Sequence, residues 1–193
     1  MSLPYYLGII SGIFLITGYI PYIYEVIRGT DIPNRASWCI WSLSTLIILF
    51  GVHETGTHEA IWVPIADAIG CFVIFILSLR LGTGGWSKTD KISLVVSLLG
   101  LIIWLMTGSA LIALVANLII YISGYIPTIK KSIRNPRSES LLAWTIFLIG
   151  VILNLITVML GHDSGFAVWL YPITLVVTVG TLYFFLIKRF WRK

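Results

Sequence analysis

The chain has 193 residues, of which 58% are hydrophobic and only 11% are charged, and its mean hydropathy is +0.97. A soluble domain carries about 25% charged residues, so this composition excludes an ordinary water-soluble globular protein. The formal net charge of +5 comes from Lys and Arg residues that border apolar segments, which favours interaction with lipid head groups and argues against nucleic acid as a partner.

Seven apolar segments predict seven transmembrane helices of an all-α integral membrane protein. A helix satisfies its own backbone hydrogen bonds within a bilayer, and it crosses the bilayer with about 17–25 apolar residues. The segments lie at 3–28, 37–52, 61–81, 91–108, 109–134, 139–160 and 166–188. The first has no basic residues ahead of its apolar core, so we interpret it as a retained helix rather than a cleaved signal peptide.

The connections between these segments differ strongly in charge. All 13 Lys and Arg residues fall in alternate connections or after the last segment, on one predicted side of the membrane. The connections on the other side carry His and acidic residues, whose spacing matches no metal-ligand pattern. The positive-inside rule therefore predicts an outside N-terminus and a cytoplasmic C-terminus. We expect the protein in a bacterial-type plasma (inner) membrane. We expect no metal and no cofactor.

Residues 17–44 and 123–150 repeat one another at a constant offset of 106. The identical pairs at this offset include Gly18 and Gly124, Tyr19 and Tyr125, Ile20 and Ile126, Pro21 and Pro127, Ile23 and Ile129, Ile27 and Ile133, Arg28 and Arg134, and Trp38 and Trp144. Apolar composition alone would not produce the same GYIP motif twice, followed at equal distances by Ile-Arg and by Trp. The sequence therefore predicts an internal duplication.

This duplication predicts a 3+1+3 arrangement. Three spans reverse the direction of the chain, so two directly joined three-helix units would be inverted, and a fourth helix between them restores a parallel repeat. We expect a first three-helix bundle at 1–81, a linker helix within 82–108 and a second bundle at 109–193.

The 3+1+3 plan, with a proline near the cytoplasmic side of the first and fifth spans, resembles the SWEET and PQ-loop superfamily of transporters. Family members often carry Gln after this proline, where the present chain has Tyr22 and Thr128. The resemblance implies alternating access around a cavity between the two bundles, with Pro21 and Pro127 as hinges. It also implies a small polar cargo, such as a sugar, an amino acid or a vitamin-like metabolite.

Asp67 is the acidic residue well inside a predicted span. A charged carboxylate costs about 2.5–3.5 kcal/mol near the centre of a bilayer, so Asp67 should face a cavity, find a partner or be protonated. We predict that it binds substrate and couples transport to protons, although a neutral carboxyl that only packs helices is an open alternative. Thr174 lies at the matching position of the second repeat, and the two resemble the polar pair that SWEET-like transporters use on their third and seventh helices.

Four further residues are candidate substrate ligands. Asn117 and Asn154 are strong hydrogen-bonding groups inside predicted spans, and either could serve packing instead. Trp62 and Trp169 lie at the outer ends of their spans, where interfacial tryptophan commonly belongs to the aromatic belt.

Four residues around the two prolines are candidate gate residues, namely Tyr19, Tyr125, Glu25 and Arg28. Opposite charges in the flanking connections could close the cytoplasmic end, with Asp31 on one side and Lys130, Lys131, Arg134 and Arg137 on the other. These charges could equally follow from the positive-inside rule alone.

The sequence thus predicts a transporter for a small polar solute, acting by facilitated diffusion or by proton coupling, with the lipid bilayer as its environment. A ligand receptor or sorting protein on the same scaffold is the alternative. An enzyme is not favoured, because there is no HExxH motif and no carboxylate cluster, and a retinal protein is disfavoured because Lys188 lies at the end of the last span. Both a monomer and a homo-oligomer remain open.

Overall fold

The computed structural model describes residues 2–54, 56, 59–84, 88, 91, 92, 95, 99, 102, 106, 110–161 and 166–188. These residues form six helices, which are α1 (Leu3–Arg28), α2 (Arg35–Glu54), α3 (Trp62–Leu81), α4 (Ala110–Arg134), α5 (Leu141–Leu160) and α6 (Phe166–Ile187). A single 3₁₀ turn at Pro136–Ser138 precedes α5. The six helices match six of the seven predicted segments, whereas the predicted fourth span at 91–108 lies, apart from isolated positions, outside the described residues.

The distribution of polar and apolar side chains is that of a membrane protein. Five helices are long and apolar enough to cross a bilayer by length and composition. Large apolar side chains such as Phe50 and Val177 are about 60% exposed, while Asp67, Asn117 and Thr157 are buried. Because water would favour the reverse arrangement, the chain is consistent with an all-helical integral membrane protein.

Local chemistry explains several helix ends. Helix α1 ends at Gly29, whose φ of 73° lets its N–H bond the carbonyls of Glu25 and Val26. Helices α2 and α5 are capped by Asn34 and Ser140, whose side chains accept hydrogen bonds from the backbone amides of Ser37 and Ala143. Asn34 and Ser140 are 106 residues apart, so the repeat extends to the helix caps.

The helices pack as two equivalent groups of three. In the first helix group, α3 packs against both α1 and α2, and in the second, α6 packs against both α4 and α5. Between the groups, α1 packs against α5 and α2 packs against α4. Exchanging the groups converts each of these contacts into another, so the sequence repeat is also a repeat in packing.

The glycines of the two GYIP motifs allow this close approach between the groups. A Cβ atom on Gly18 of α1 would lie 2.6 Å from the Phe147 ring of α5. A Cβ atom on Gly124 of α4 would likewise lie 2.6 Å from the Trp41 indole of α2. Trp41 and Phe147 are themselves 106 residues apart, so each motif glycine seats an equivalent aromatic ring of the other group.

Candidate functional site

A small cavity lies between the two helix groups. Its volume is about 20 Å³, which is room for about one water molecule. Its walls come from both groups and are mostly aromatic, with the lining residues Leu15, Tyr19, Trp38, Trp41, Asp67, Cys71, Tyr121, Tyr125, Trp144, Phe147, Val151, Leu175 and Val179. We call this space the central cavity.

Much of the cavity wall is symmetric. Four pairs of lining residues are related by the offset of 106, namely Leu15 and Tyr121, Tyr19 and Tyr125, Trp38 and Trp144, and Trp41 and Phe147. The ring centroids of Tyr19 and Phe147 are 4.7 Å apart at an interplanar angle of 57°. Those of the equivalent Tyr125 and Trp41 are 4.6 Å apart at the same angle. The duplicated sequence thus builds a duplicated aromatic wall.

Asp67 breaks this symmetry, because it is the charged side chain among the described lining residues. Its Oδ1 accepts a 2.6 Å hydrogen bond from the Tyr19 hydroxyl and lies 3.6 Å from Cys71 Sγ. Its Oδ2 accepts hydrogen bonds from the hydroxyls of Tyr121, at 3.2 Å, and Tyr171, at 3.0 Å. Three phenolic donors therefore hold one buried carboxyl group, which satisfies it within an apolar surrounding.

The sequence did not single out Tyr121 or Tyr171 as partners of Asp67. Tyr121 precedes Tyr125 by one helical turn, so its place on the same face of α4 could have been inferred from the helix period. Tyr171 carries no comparable signal, since its contact with Asp67 depends on how α6 packs. Tyr121 and Tyr171 belong to the second helix group, so the carboxyl of Asp67 links the two groups.

The other predicted substrate ligands lie apart from Asp67 and outside the cavity lining. Asn117 donates a 2.8 Å hydrogen bond to the Ser44 carbonyl, a contact that joins α4 to α2. Asn154 is 1% exposed, and neither polar atom of its side chain has a hydrogen-bond partner among the described residues. Thr174, on α6, accepts at its carbonyl from the hydroxyl of Thr178.

The two predicted tryptophan ligands also lie outside the described lining of the cavity. Trp62 begins α3 and packs close to Gly8 and Gly12 of α1, where added Cβ atoms would meet it. Trp169 lies in the first turn of α6 and is half-buried. Of the six predicted substrate ligands, only Asp67 contacts the central cavity.

The predicted hinge and gate residues occupy different surroundings. Helices α1 and α4 continue through Pro21 and Pro127. Tyr19 and Tyr125 both line the cavity. Glu25 accepts a 2.8 Å hydrogen bond from the Ser140 hydroxyl of the other repeat, which leaves it near the junction of the groups.

Arg28 does not join Glu25 at this junction. Its side chain is exposed, and its guanidinium carbon lies 4.3 Å from the centroid of the Tyr24 ring on the same helix. Arg35, another cation of the same connection, bonds the carbonyls of Ser78 and Gly84 and so fastens α2 to the end of α3.

A buried charged cluster lies beyond the cavity, at the connections that carry the Lys and Arg residues. Lys131 Nζ is 2.5 Å from Glu139 Oε1 and 4.0 Å from Asp31 Oδ1. It also donates to the carbonyls of Ile32 and Ser138. We call Asp31, Lys131 and Glu139 the charged cluster; it joins the α1–α2 connection to the second helix group.

Glu139 connects this cluster to the cavity wall, and the sequence analysis missed it. Its Oε2 accepts a 2.9 Å hydrogen bond from the indole of Trp144, which also lines the cavity. The same oxygen accepts a 3.1 Å hydrogen bond from Tyr22 of α1. Glu139 stands among basic residues in a polar connection, so nothing in its sequence context marks it as 2% exposed.

The environment of Asp31 shifts its titration. Burial raises the pKa of the Asp31 carboxyl group well above its usual value, and the nearby charge of Glu139 raises it further. Lys131 and a 2.8 Å hydrogen bond from the Ser140 backbone amide oppose this rise. Burial beside Glu139 therefore favours the protonated form of Asp31.

The residues that follow the motif prolines make contacts between the groups. Tyr22 donates to Glu139 of the second repeat, as described above. Its equivalent, Thr128 of α4, donates a 2.9 Å hydrogen bond to the hydroxyl of Ser37 on α2. Both residues that follow the motif prolines therefore make hydrogen bonds across the interface between the groups.

No protein-family model, curated protein or solved structure matches this chain. The repeat, the central cavity and the charged cluster are therefore the features from which a function can be inferred.

Proposed function

We propose that this chain is a membrane transporter of a small polar solute that works by alternating access, with the central cavity as its solute site. The observation that carries the proposal is the position of this cavity between two helix groups with equivalent packing. Repeated bundles of this kind can rock against each other around a fixed site, which exposes the site to one side of the membrane at a time.

The proposal includes seven spans in a 3+1+3 arrangement, with the N-terminus outside and the C-terminus in the cytoplasm. The charged cluster then lies on the cytoplasmic side, among connections rich in Lys and Arg. The cluster connects the two groups at that end, so it is the proposed inner gate, in place of the predicted gate residues Glu25 and Arg28.

The size of the central cavity supports a closed state. A space of about 20 Å³ has room for about one water molecule and excludes a sugar or an amino acid. A solute therefore enters only after the helix groups separate. Pro21 and Pro127, which remove one backbone donor each, are the proposed hinges of this movement.

Asp67 is the proposed coupling residue. Its carboxyl group holds three tyrosine hydroxyls from both groups, so loss or gain of its proton would change the contacts between them. Facilitated diffusion, in which Asp67 only binds the solute, remains the alternative.

Uptake into proteoliposomes tests the proposal directly. Purified protein is reconstituted, and the uptake of a panel of radiolabelled sugars, amino acids and amines is measured with and without a pH gradient. We expect saturable uptake of at least one solute, and we expect Asp67→Asn to abolish any dependence on the gradient. Binding without uptake would instead indicate a receptor or sorting protein.

Cysteine labelling tests the orientation. In a Cys39→Ala background, an impermeant maleimide in intact cells should label His53→Cys, which replaces an exposed residue at the end of α2. It should label Thr30→Cys, which replaces an exposed residue after α1, only in permeabilised cells. The reverse pattern would overturn the proposed topology.

A further inference from the structure

We infer that the solute of the central cavity is a small organic cation, with Asp67 as its counter-ion and the surrounding rings as its cage. This inference rests on the proposed function, because it names the class of solute for the same site. Its basis is the unusual combination of one carboxylate with a mostly aromatic wall.

The aromatic content of the wall suits a cation. Seven of the lining residues are aromatic, namely Tyr19, Trp38, Trp41, Tyr121, Tyr125, Trp144 and Phe147. Tyr171 adjoins them through its hydrogen bond to Asp67. The faces of such rings carry partial negative charge and attract ammonium groups, with indole the strongest. Among the described lining residues there is no Lys, Arg or His to repel a cation.

The single carboxylate decides between classes of solute. An anionic solute would be repelled by Asp67, whose oxygens are fixed by Tyr19, Tyr121 and Tyr171. A neutral sugar needs several well-placed polar groups around its ring. The amides that could supply them, Asn117 and Asn154, lie outside the described lining. A cation, in contrast, uses both the charge and the rings.

The cage is assembled from both helix groups. The centroids of Trp41 on α2 and Trp144 on α5 are 6.4 Å apart, and Trp41 also lies 4.6 Å from the ring of Tyr125 on α4. These rings fill the closed cavity by packing on one another. Separation of the groups would part Trp41 from Trp144 and leave room for a cation between them, so cation binding and opening are linked.

Fluorescence titration of the detergent-purified wild-type protein provides the first test. The probes are methylammonium, tetramethylammonium and choline, compared with 3,3-dimethyl-1-butanol, the neutral carbon analogue of choline. Tryptophan emission reports binding because three indoles line the cavity. We expect choline to bind at least about tenfold more tightly than its neutral analogue, since loss of charge removes the cation–π and carboxylate attractions.

Variants test which residues carry the preference. Trp41→Phe should weaken choline binding less than Trp41→Leu does, because it keeps an aromatic face but loses the stronger attraction of indole. Trp41→Leu should weaken it about tenfold, as should Asp67→Asn. Phe50→Leu, a change at an aromatic residue that is 63% exposed, is the matched control and should bind choline as the wild type does.

The outcomes separate this inference from the proposed function. Equal affinity for choline and its neutral analogue, or no binding by any of the three cations, would overturn the inference even if uptake of a neutral solute were measured. Cation binding without uptake would overturn transport and leave the inference standing. The comparison of probes uses wild-type protein, so it holds even if a variant fails to fold.

Discussion

The hydroxyl of Tyr171 donates a hydrogen bond of 3.0 Å to Asp67, across 104 residues of sequence and from one helix group to the other. Tyr121 bonds the same carboxylate oxygen from a second helix of the same group. The one acidic residue among the described lining residues is therefore held mainly by the repeat that lacks it. Because Asp67 has no acidic equivalent, this contact makes the two halves of the site unequal.

Removal of the Tyr171 hydroxyl should weaken the closed state. We expect Tyr171→Phe to lower the free energy of unfolding by about 1–2 kcal/mol, which lies between the values typical of hydrogen bonds to charged groups and of hydrogen bonds between membrane helices. Unfolding in detergent, followed by thermal or denaturant titration, measures the change. Tyr24→Phe, which removes the same group from an exposed residue of α1, should change stability little.

A double-mutant cycle separates this contact from other effects. In an Asp67→Asn background, Tyr171→Phe should cost clearly less than in the wild type, because the charged acceptor is gone. An equal cost in both backgrounds would mean that Tyr171 stabilises the protein through packing alone.

The close contact at Gly18 predicts a strong effect of a single methyl group. Gly18→Ala would bring a Cβ atom to 2.6 Å from the Phe147 ring, so we expect a loss of about 1–3 kcal/mol in unfolding free energy from overpacking. Gly180→Ala is the matched control, since nothing lies within 4 Å of its added Cβ. That change should be neutral or stabilising by up to about 1 kcal/mol, the difference in helix propensity.

The second variant of this pair identifies the cause. In the double variant Gly18→Ala, Phe147→Leu, a smaller side chain replaces the ring that the added methyl group meets. The double variant should therefore recover part of the melting temperature that Gly18→Ala loses. If Gly18→Ala were as well tolerated as Gly180→Ala, α1 and α5 would not approach as closely as the structure has them.

The charged cluster depends on its lysine. Lys131→Met would leave Asp31 and Glu139 buried without a cation, and removal of one partner from a buried ion pair costs about 3–5 kcal/mol. We expect a large fall in melting temperature, or increased maleimide labelling of a cysteine placed at Ser138, which is 5% exposed in the closed state. Arg134→Met removes an exposed cation from the same helix end and should do neither.

Neutral replacements distinguish charge from packing at this cluster. Lys131→Met combined with Asp31→Asn and Glu139→Gln removes all three charges and should restore much of the stability lost in the single variant. Failure of the triple variant to recover would indicate that the lysine stabilises this end mainly by its bonds to the carbonyls of Ile32 and Ser138.

Two kinds of structural feature could be predicted from the sequence, namely those that the internal repeat duplicates and those that follow from the cost of a polar group in lipid. The GYIP motifs predicted a duplication, which the equivalent packing of the two helix groups reproduces. Asp67 was expected to face a cavity, find a partner or be protonated, because a charge is costly in lipid. The helix bounds followed from the length of the apolar segments. Each of these signals is local, or depends on a comparison of the chain with itself.

Contacts that depend on tertiary packing were not predicted from the sequence. Glu139 was not distinguished from other loop charges, although the Tyr22 hydroxyl, the Trp144 indole and the Lys131 ammonium group surround its carboxyl group in the structure. Asn117 and Asn154 were proposed as ligands because they are polar at depth, yet helix rotation directs Asn117 to the Ser44 carbonyl. Which face a polar residue presents cannot be read from a helix that is apolar on every side.

Asp31 gives the charged cluster a predicted dependence on pH. Burial and the charge of Glu139 raise the pKa of this carboxyl group in the folded protein. In the unfolded chain the pKa of Asp is about 3.9. The folded state therefore binds the proton more tightly. Because stability falls with rising pH wherever the folded state binds more protons, the contribution of Asp31 is fully present below its unfolded pKa and is lost as the pH rises through its folded pKa.

Asp31→Asn isolates this contribution, since the amide oxygen can still accept the hydrogen bond from the Ser140 backbone amide. Melting temperatures of the wild type and the variant are compared in detergent from about pH 4 to pH 8, a range that starts at the ordinary pKa of Asp. The wild type should lose stability relative to Asp31→Asn as the pH rises, and the difference should become constant once Asp31 is ionised in both states. A wild type that instead gained on the variant with rising pH would mean that the attraction of Lys131 outweighs burial and Glu139, and that the cluster closes as an ion pair rather than through a shared proton.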